Sequence, residues 1–360
     1  MLNRIFTLSS VAVLALMTSC KKDDAGPSVK PYTVPLTYSF IKTPDYSKSS
    51  SRVYMAVELD NYLKTANAGS SAVALDQAKV DNMFTNTNSP FLNPALNTAG
   101  VNLKEAISDA PLYKSLADSV LINNTGTSAA DGQGGFVPRN ANKIIVGPDG
   151  LEYGQAFLKG IMGSLFLKEA VKLLNEVKTL SATDTVNAQA KWDEAYGNLG
   201  VPDTYDSSVV YLNTDPVRPL IWGSYLTERG KAIQAGGTIF GAFLKGRAAI
   251  GAYDVTVRNA QADIILAKWE QLCAVSALHY VTSPTASSNI GNYGSQLHGL
   301  SEGFGFITSL RYRAAESKLK AADFETLNTI IHKSFYVLLN QPGFTDLVTA
   351  QNILKTTYGL

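Results

Sequence analysis

The feature that most restricts the fold is a three- and four-residue apolar rhythm running through nearly every hydrophobic segment. In "LEYGQAFLKGIMGSLFLKEAVKLLNEV" it is carried by Tyr153, Ala156, Phe157, Gly160, Ile161, Ser164, Leu165, Val171 and Leu174, with an interruption at Lys168. Residues three and four apart share a helix face, whereas strand residues alternate face by face, so the rhythm predicts helices with one buried stripe. Gly160 and Ser164 on that stripe would let a neighbouring helix approach closely. "TVRNAQADIILAKWEQLCAVSALHYV" repeats the pattern through Ala262, Ile265, Leu266, Trp269, Leu272, Cys273, Ser276 and Tyr280. Further helices are expected in "SRVYMAVELDNYLK", "LDQAKVDNMF", "NLKEAISDAPLYKSLADSVL", "AQAKWDEAYGNL", "IWGSYLTERGKA", "GSQLHGLSEGFGFITSLRYR", "ADFETLNTIIHKSFYVLL" and "TDLVTAQNILKTTY". Any sheet is minor, a short hairpin in "NKIIVGPDGLEY" with "GPDG" as its turn. The fold class is therefore all-α, helical bundles.

Long irregular loops separate these helices. "TNTNSPFLNPALNTAG" and "NNTGTSAADGQGGFVPRN" are dense in Asn, Gly, Ser and Pro, and "GVPDTYDSSVVYLNTDPVRP" is rich in Asp and Tyr. Loops of that length are usually functional or disordered. "AFLKG" occurs at 156–160 and again at 242–246, and a Lys-Trp pair followed by an acid stands at Lys191 and at Lys268. The repetition suggests two bundle-like halves of similar design.

The chain begins with "MLNRIFTLSSVAVLALMTSC": Arg4, an apolar run, then small residues up to Cys20. That run is too short for a permanent membrane span and reads as a secretion signal over residues 1–19. "LMTSC" has the form of a lipoprotein junction, an apolar position and two small residues before a Cys, which makes Cys20 the lipidated first residue of the mature chain. Each buried methylene contributes about 0.8 kcal/mol, so two or three acyl chains anchor stably. Residues 20–35, with "KKDDAGPSVKPYTVP", lack apolar periodicity and read as a flexible tether, long enough for roughly 50 Å when extended. Lys22, Asp23 and Asp24 resemble an export signal that sends lipoproteins to the outer face of the outer membrane; a solvated linker facing the periplasm is the alternative.

Residues 36–360 then form a single all-helical domain of two halves. With Cys20 lipidated, Cys273 is the remaining cysteine of two, so no disulfide framework is possible and stability must come from a core. A composition that is 45% hydrophobic supplies one. A net charge of +1 with no basic stripe excludes nucleic acid as an expected partner.

The ordered series "PLTYSF", "LDQAKVDNMFTNTNSPF", "GLEYGQAFLKGIMGSL", "KWDEAYGNLGVP", "AFLKGRAAI", "LHGLSEGFGFITSL" and "ILKTTYGL" closely resembles the envelope-lipoprotein family known as domain of unknown function 4856, over about 35–360. That family in turn resembles the imelysin-like proteins, which implies paired four-helix bundles, an envelope location and an association with iron acquisition. The resemblance also implies a Gly-x-His-x-x-Glu metal motif, whose comparable place here is "AKWDEAYG". There Glu194 keeps the acid, but Lys191 stands in the His position and offers no lone pair.

The residues themselves give a short list of site candidates. His298 and Glu302 lie four apart, on one helical turn, so both can face one ligand or can simply bond each other. Of the adjacent acids Asp193 and Glu194, which point about 100° apart, only one is expected to face inward, and Glu194 is favoured. Glu194, His298 and Glu302, with Lys191 beside them, are expected to line one polar pocket. His279 and His332 sit among apolar neighbours and are expected in the core, as is Cys273. There is no His-Glu-x-x-His, phosphate loop or dinucleotide fingerprint, and no Gly-x-Ser-x-Gly elbow, so a metal-dependent hydrolase is disfavoured. Two readings remain: an outer-membrane lipoprotein binding a divalent metal, haem or another small ligand as accessory to an outer-membrane transporter, or a structural or protein-interaction module with no ligand.

Overall fold

A computed structural model describes residues 27–69 and 73–360 of the chain. The signal segment and the site residues Cys20, Lys22, Asp23 and Asp24 lie outside the described residues. The helices are α1 (Ser47–Lys64), α2 (Gln77–Thr85), α3 (Pro94–Asn97), α4 (Ala110–Asn123), α5 (Tyr153–Ile161), α6 (Lys168–Thr179), α7 (Thr185–Gly197), α8 (Trp222–Glu228), α9 (Ala235–Gly251), α10 (Val255–Thr282), α11 (Tyr293–Ser309), α12 (Ala321–Ile331), α13 (Phe335–Asn340) and α14 (Thr345–Tyr358). The sheet among the described residues is one antiparallel hairpin, β1 (Gly135–Arg139) with β2 (Asn142–Val146). The fold is thus all-α, as the apolar rhythm requires.

Helix α10 is the axis of the packing, in contact with α6, α9, α11 and α14, while α5 lies against α11 and α4. Trp192, Trp222 and Trp269 are fully buried in one hydrophobic core that draws on helices from α1 to α14. Among the described residues no helix is long and apolar enough to cross a membrane.

Between α5 and α6 the chain makes a π turn, Met162–Leu167. A π turn inserts one extra residue and rotates everything downstream by about 100°, which is why the apolar stripe breaks at Lys168. Carbonyls of this turn find donors outside the helix: Met162 accepts from the Trp222 indole at 2.7 Å, and Ser164 from the Ser108 amide at 3.0 Å. The single stripe expected here is in fact burial on every side from Gln155 to Leu167.

The structure corrects four further expectations. "GPDG" does turn, with Gly150 N–H donating to Gly147 O at 3.0 Å, but it closes only one bridge, Val146 to Glu152. The partner of "NKIIV" is the preceding "GFVPR", reached through Asn140, whose short polar side chain tolerates the left-handed φ of 54°. Two long helical expectations are broken: Asp109 is left-handed and Pro111 opens α4 behind it, and the Phe335 amide leaves the helical path to donate to Asp149 O at 2.8 Å. The tether is shorter than its composition suggests, because Lys30 N–H donates to Ala252 O at 2.9 Å and the Tyr32 hydroxyl to Asp254 at 3.1 Å. His279 and His332 are exposed rather than in the core, each ring packed at its edge of the fold against an aromatic neighbour, Tyr280 and Phe304 respectively.

Candidate functional site

Four elements converge on a polar cavity of about 490 Å³. Helix α5 and the residue before it present Glu152, Gln155 and Lys159 at spacings of three and four, one face of a helix otherwise built from apolar residues. Helix α11 presents His298 and Glu302. The C-terminal end of α1 and its following turn bring Lys64 and Asn67, and the hairpin covers one side with Arg139, Asn142 and Lys143.

The α5–α11 crossing that sets this geometry is unusually close. A Cβ on Gly305 would lie 2.2 Å from Lys159 Cβ and 2.9 Å from the Gly160 nitrogen, and one on Gly163 would lie 2.4 Å from Ser309 Cα. Only glycine permits that approach, and the Ser309 hydroxyl locks it by donating to Lys159 O at 2.9 Å. The expected close approach at Gly160 is also real, but its neighbour is α4: a Cβ there would lie 2.4 Å from the Tyr113 ring.

The charges in the cavity are paired in sequence around it. Lys159 Nζ lies 3.4 Å from Glu302 Oε1, with both side chains 10% exposed. His298 Nδ1 is 2.6 Å from Glu152 Oε2, while its Nε2 is 4.0 Å from Glu302 Oε2. The imidazole thus lies between two carboxylates, its Nδ1 edge against Glu152 and its Nε2 edge toward Glu302. Glu152 is fixed in turn by its own amide, which donates to Ser301 Oγ at 2.8 Å. Lys64 Nζ is 2.6 Å from Asp60 Oδ2, just behind the lining. Burial pushes Glu302 upward, but Lys159, His298 and a hydrogen bond from Tyr280 together outweigh it and hold the carboxyl below its usual range. Burial likewise opposes the charge on Lys159, yet Glu302 and Asp60 keep its pKa above the ordinary lysine value. Asp60 is pushed up, since burial outweighs its pairing with Lys64.

His298 and Glu302 thus share the cavity, but Glu194 and Lys191 do not line it. Glu194 Oε2 accepts from the Ser49 amide at 3.1 Å, in the first turn of α1. Its charge meets the positive end of that helix. Lys191 Nζ pairs with Glu176 at 2.5 Å. Ser49 and Lys64 are fifteen residues apart on α1, about 22 Å along the axis, so Glu194 sits at the opposite end of that helix from the cavity. The inward-facing acid of the pair is Asp193, which takes two hydrogen bonds from Arg247 at 2.7 and 3.2 Å and one from Tyr38 at 2.8 Å. Arg247 supplies the reason: a guanidinium buried on α9 needs a planar carboxylate within reach, and the shorter acid reaches it.

Sequence reasoning missed Glu152, Gln155, Lys159 and Arg139. Lys159 carried a usable signal, a lone ammonium inside an apolar helix, where an unpaired charge would be prohibitively costly and a partner must therefore exist. Among the described residues there is no group of three or more His, Cys, Asp or Glu placed to hold a metal ion. Among the described residues the lining has only Ala68 and Ile144 as apolar ones, no match for the broad apolar faces of haem. The described lining offers charged and hydrogen-bonding side chains almost throughout.

The family described as domain of unknown function (DUF4856) matches the chain over residues 35–357. No curated protein and no solved structure matches the chain.

Proposed function

The chain belongs to the DUF4856 family, and from that premise we propose that it is a lipid-anchored protein of the outer membrane, exposed at the cell surface, that binds a small polar ligand in the cavity between α1, α5, α11 and the hairpin. The anchor in this reading is Cys20, with Lys22, Asp23 and Asp24 directing surface export, and the role is that of a binding accessory to an outer-membrane transporter. Kinship with the imelysin-like proteins belongs to the same proposal.

One observation carries the binding reading. The cavity is about 490 Å³, open, and lined almost wholly by polar side chains, several of them deeply buried. Buried polar groups cost stability unless something compensates, and a module that only packs would do better with apolar residues on that face of α5. The buried charges pair with one another, but Gln155 Oε1 and Arg139 Nε are left without a partner among the described residues, and a ligand supplies theirs.

Thermal unfolding of the purified protein against a panel of metal ions, haem and small polar compounds tests this. At least one polar compound should raise the melting temperature, and His298→Ala should abolish the rise. A panel with no response, or a response unchanged in His298→Ala, leaves the structural or protein-interaction reading in its place. For the location, Cys20→Ser should leave the membrane fraction, and protease added to intact cells should remove the wild-type domain.

A further inference from the structure

We infer that the ligand of this cavity is a small polyhydroxy carboxylate, a sugar acid or a related hydroxy acid, held at its carboxylate by Arg139 and at a hydroxyl by Gln155. This rests on the binding reading above and specifies its chemistry.

Three observations lead to it. The first is charge. Among the described lining residues Lys64 pairs with Asp60, Lys159 with Glu302 and His298 with Glu152, whereas Arg139 makes no ion pair, so the field beside Arg139 favours an anion. The second is the pattern of unfilled hydrogen bonds. Gln155 is 5% exposed, and its Oε1 has no partner. An amide oxygen only accepts, so the missing group is a donor. On the hairpin side, the Arg139 Nε is buried and also lacks a partner. It only donates, and the group it calls for is an acceptor, best a carboxylate oxygen. One molecule that satisfies both must carry an anionic acceptor at one place and a neutral O–H donor at another.

The third observation is the character of the walls. Among the described residues of the lining Ala68 and Ile144 are the only apolar ones and none is aromatic, so these walls offer no apolar face for a ligand to bury against. Size agrees. At about 30 Å³ for each water, the volume corresponds to roughly sixteen waters, room for a molecule of about a dozen non-hydrogen atoms with some water left. A simple anion such as acetate leaves Gln155 without its donor. An amino sugar puts a cation among the lysines. A neutral sugar leaves the Arg139 guanidinium without an anionic partner. The remaining members of the cavity suit hydroxyl groups as well, since Glu152 and Glu302 accept from them and Lys64 donates to them.

The experiment is isothermal titration of the purified full chain with D-glucuronate, D-glucose, D-glucosamine and acetate as probes, on wild type, Arg139→Gln and Gln155→Leu. D-glucuronate should bind at least tenfold more tightly than the other three. Arg139→Gln should weaken it tenfold or more and reduce the preference over glucose. Gln155→Leu should weaken it several-fold with the preference over glucose kept. Both variants should melt within a few degrees of wild type, because neither Arg139 Nε nor Gln155 Oε1 has a partner among the described residues. Glucose or glucosamine binding as tightly as glucuronate, or glucuronate binding that both variants leave unchanged, overturns the assignment of class while the cavity remains a binding site. Silence of all four probes in a protein that does respond to another polar compound does the same. Silence together with no response across the whole thermal panel overturns the binding reading itself.

Discussion

Replacing Arg247 by Met tests whether the polar network beside the core holds the N-terminal part of the domain in place. Arg247 and Asp193 side chains are 2% and 3% exposed, and the guanidinium fills two of the three hydrogen bonds that Asp193 receives in the network. Removing one partner of a buried pair costs about 3–5 kcal/mol, because the other charge stays buried without compensation. Folded chains of roughly 330 residues lose about 0.7 kcal/mol/K of stability near the midpoint, so a loss of about 4 kcal/mol lowers the melting temperature by about 6 °C. Melting followed by far-ultraviolet circular dichroism at neutral pH measures it. Burial already pushes the Asp193 carboxyl up against the hydrogen bonds from Arg247 and Tyr38, and without Arg247 it rises further. A carboxyl raised in the folded state takes up its proton more readily folded than unfolded, so the loss is largest at neutral pH and shrinks as the pH falls through the raised value. The double variant Arg247→Met/Asp193→Leu removes both charges and should regain at least half of the loss. A single-variant shift under about 2 °C, or a double variant that loses the sum of the two singles, refutes the reasoning.

Two further outcomes follow from the site. Gly305→Ala places a Cβ 2.2 Å from Lys159 Cβ and 2.8 Å from the Lys159 carbonyl carbon, so α11 must move off α5; a loss of about 1–3 kcal/mol and weaker ligand binding are expected, and a melting temperature and titration like wild type would contradict the crossing. Glu302→Gln changes the acid limb of stability: the folded carboxyl lies below its usual value near 4.5, so its contribution is present above that value and is lost as pH falls through it toward the folded one. Denaturant unfolding as a function of pH should show a slope shallower by up to about 1.4 kcal/mol per pH unit in the variant, and parallel acid limbs would show that Glu302 makes no such contribution.

Much of the fold was legible because helical burial writes a period into the sequence. The all-α class, the long α10 and the close approach at Gly160 all come from that period and from one small residue. Local breaks were less legible. The π turn appeared only as an irregularity at Lys168, since the extra residue changes phase without changing composition. Of the site, His298 and Glu302 were visible because they share one turn of one helix. Glu152, Lys159 and Arg139 were not, since their convergence depends on the α5–α11 crossing and on a hairpin whose strand partner lies before β2 rather than after it. Glu194 was misplaced for a similar reason: which of two adjacent acids turns inward is decided by Arg247, more than fifty residues further along the chain.

The recurrence of Lys-Trp-acid at Lys191 and Lys268 acquires a physical meaning from where the acids go. Trp192 and Trp269 are both fully buried, and the acid that follows each is buried beside it. Asp193 accepts the Tyr38 hydroxyl at 2.8 Å, and Glu270 accepts the Tyr358 hydroxyl at 2.6 Å. One tyrosine comes from the segment before α1 and the other from the end of α14. A buried carboxylate is satisfied only while its donors stay in place, so each acid ties one end of the folded part to a helix of the core, where chain ends otherwise fray. At the first of these the tie reaches the site. Tyr38 stacks on Tyr196 with ring centroids 3.6 Å apart, Glu194 on the same helix holds the first turn of α1, and the far end of α1 carries Asp60 and Lys64. The Lys191–Tyr196 segment therefore positions α1 rather than lining the cavity, and through α1 it sets where the Lys64 ammonium stands relative to α5 and α11.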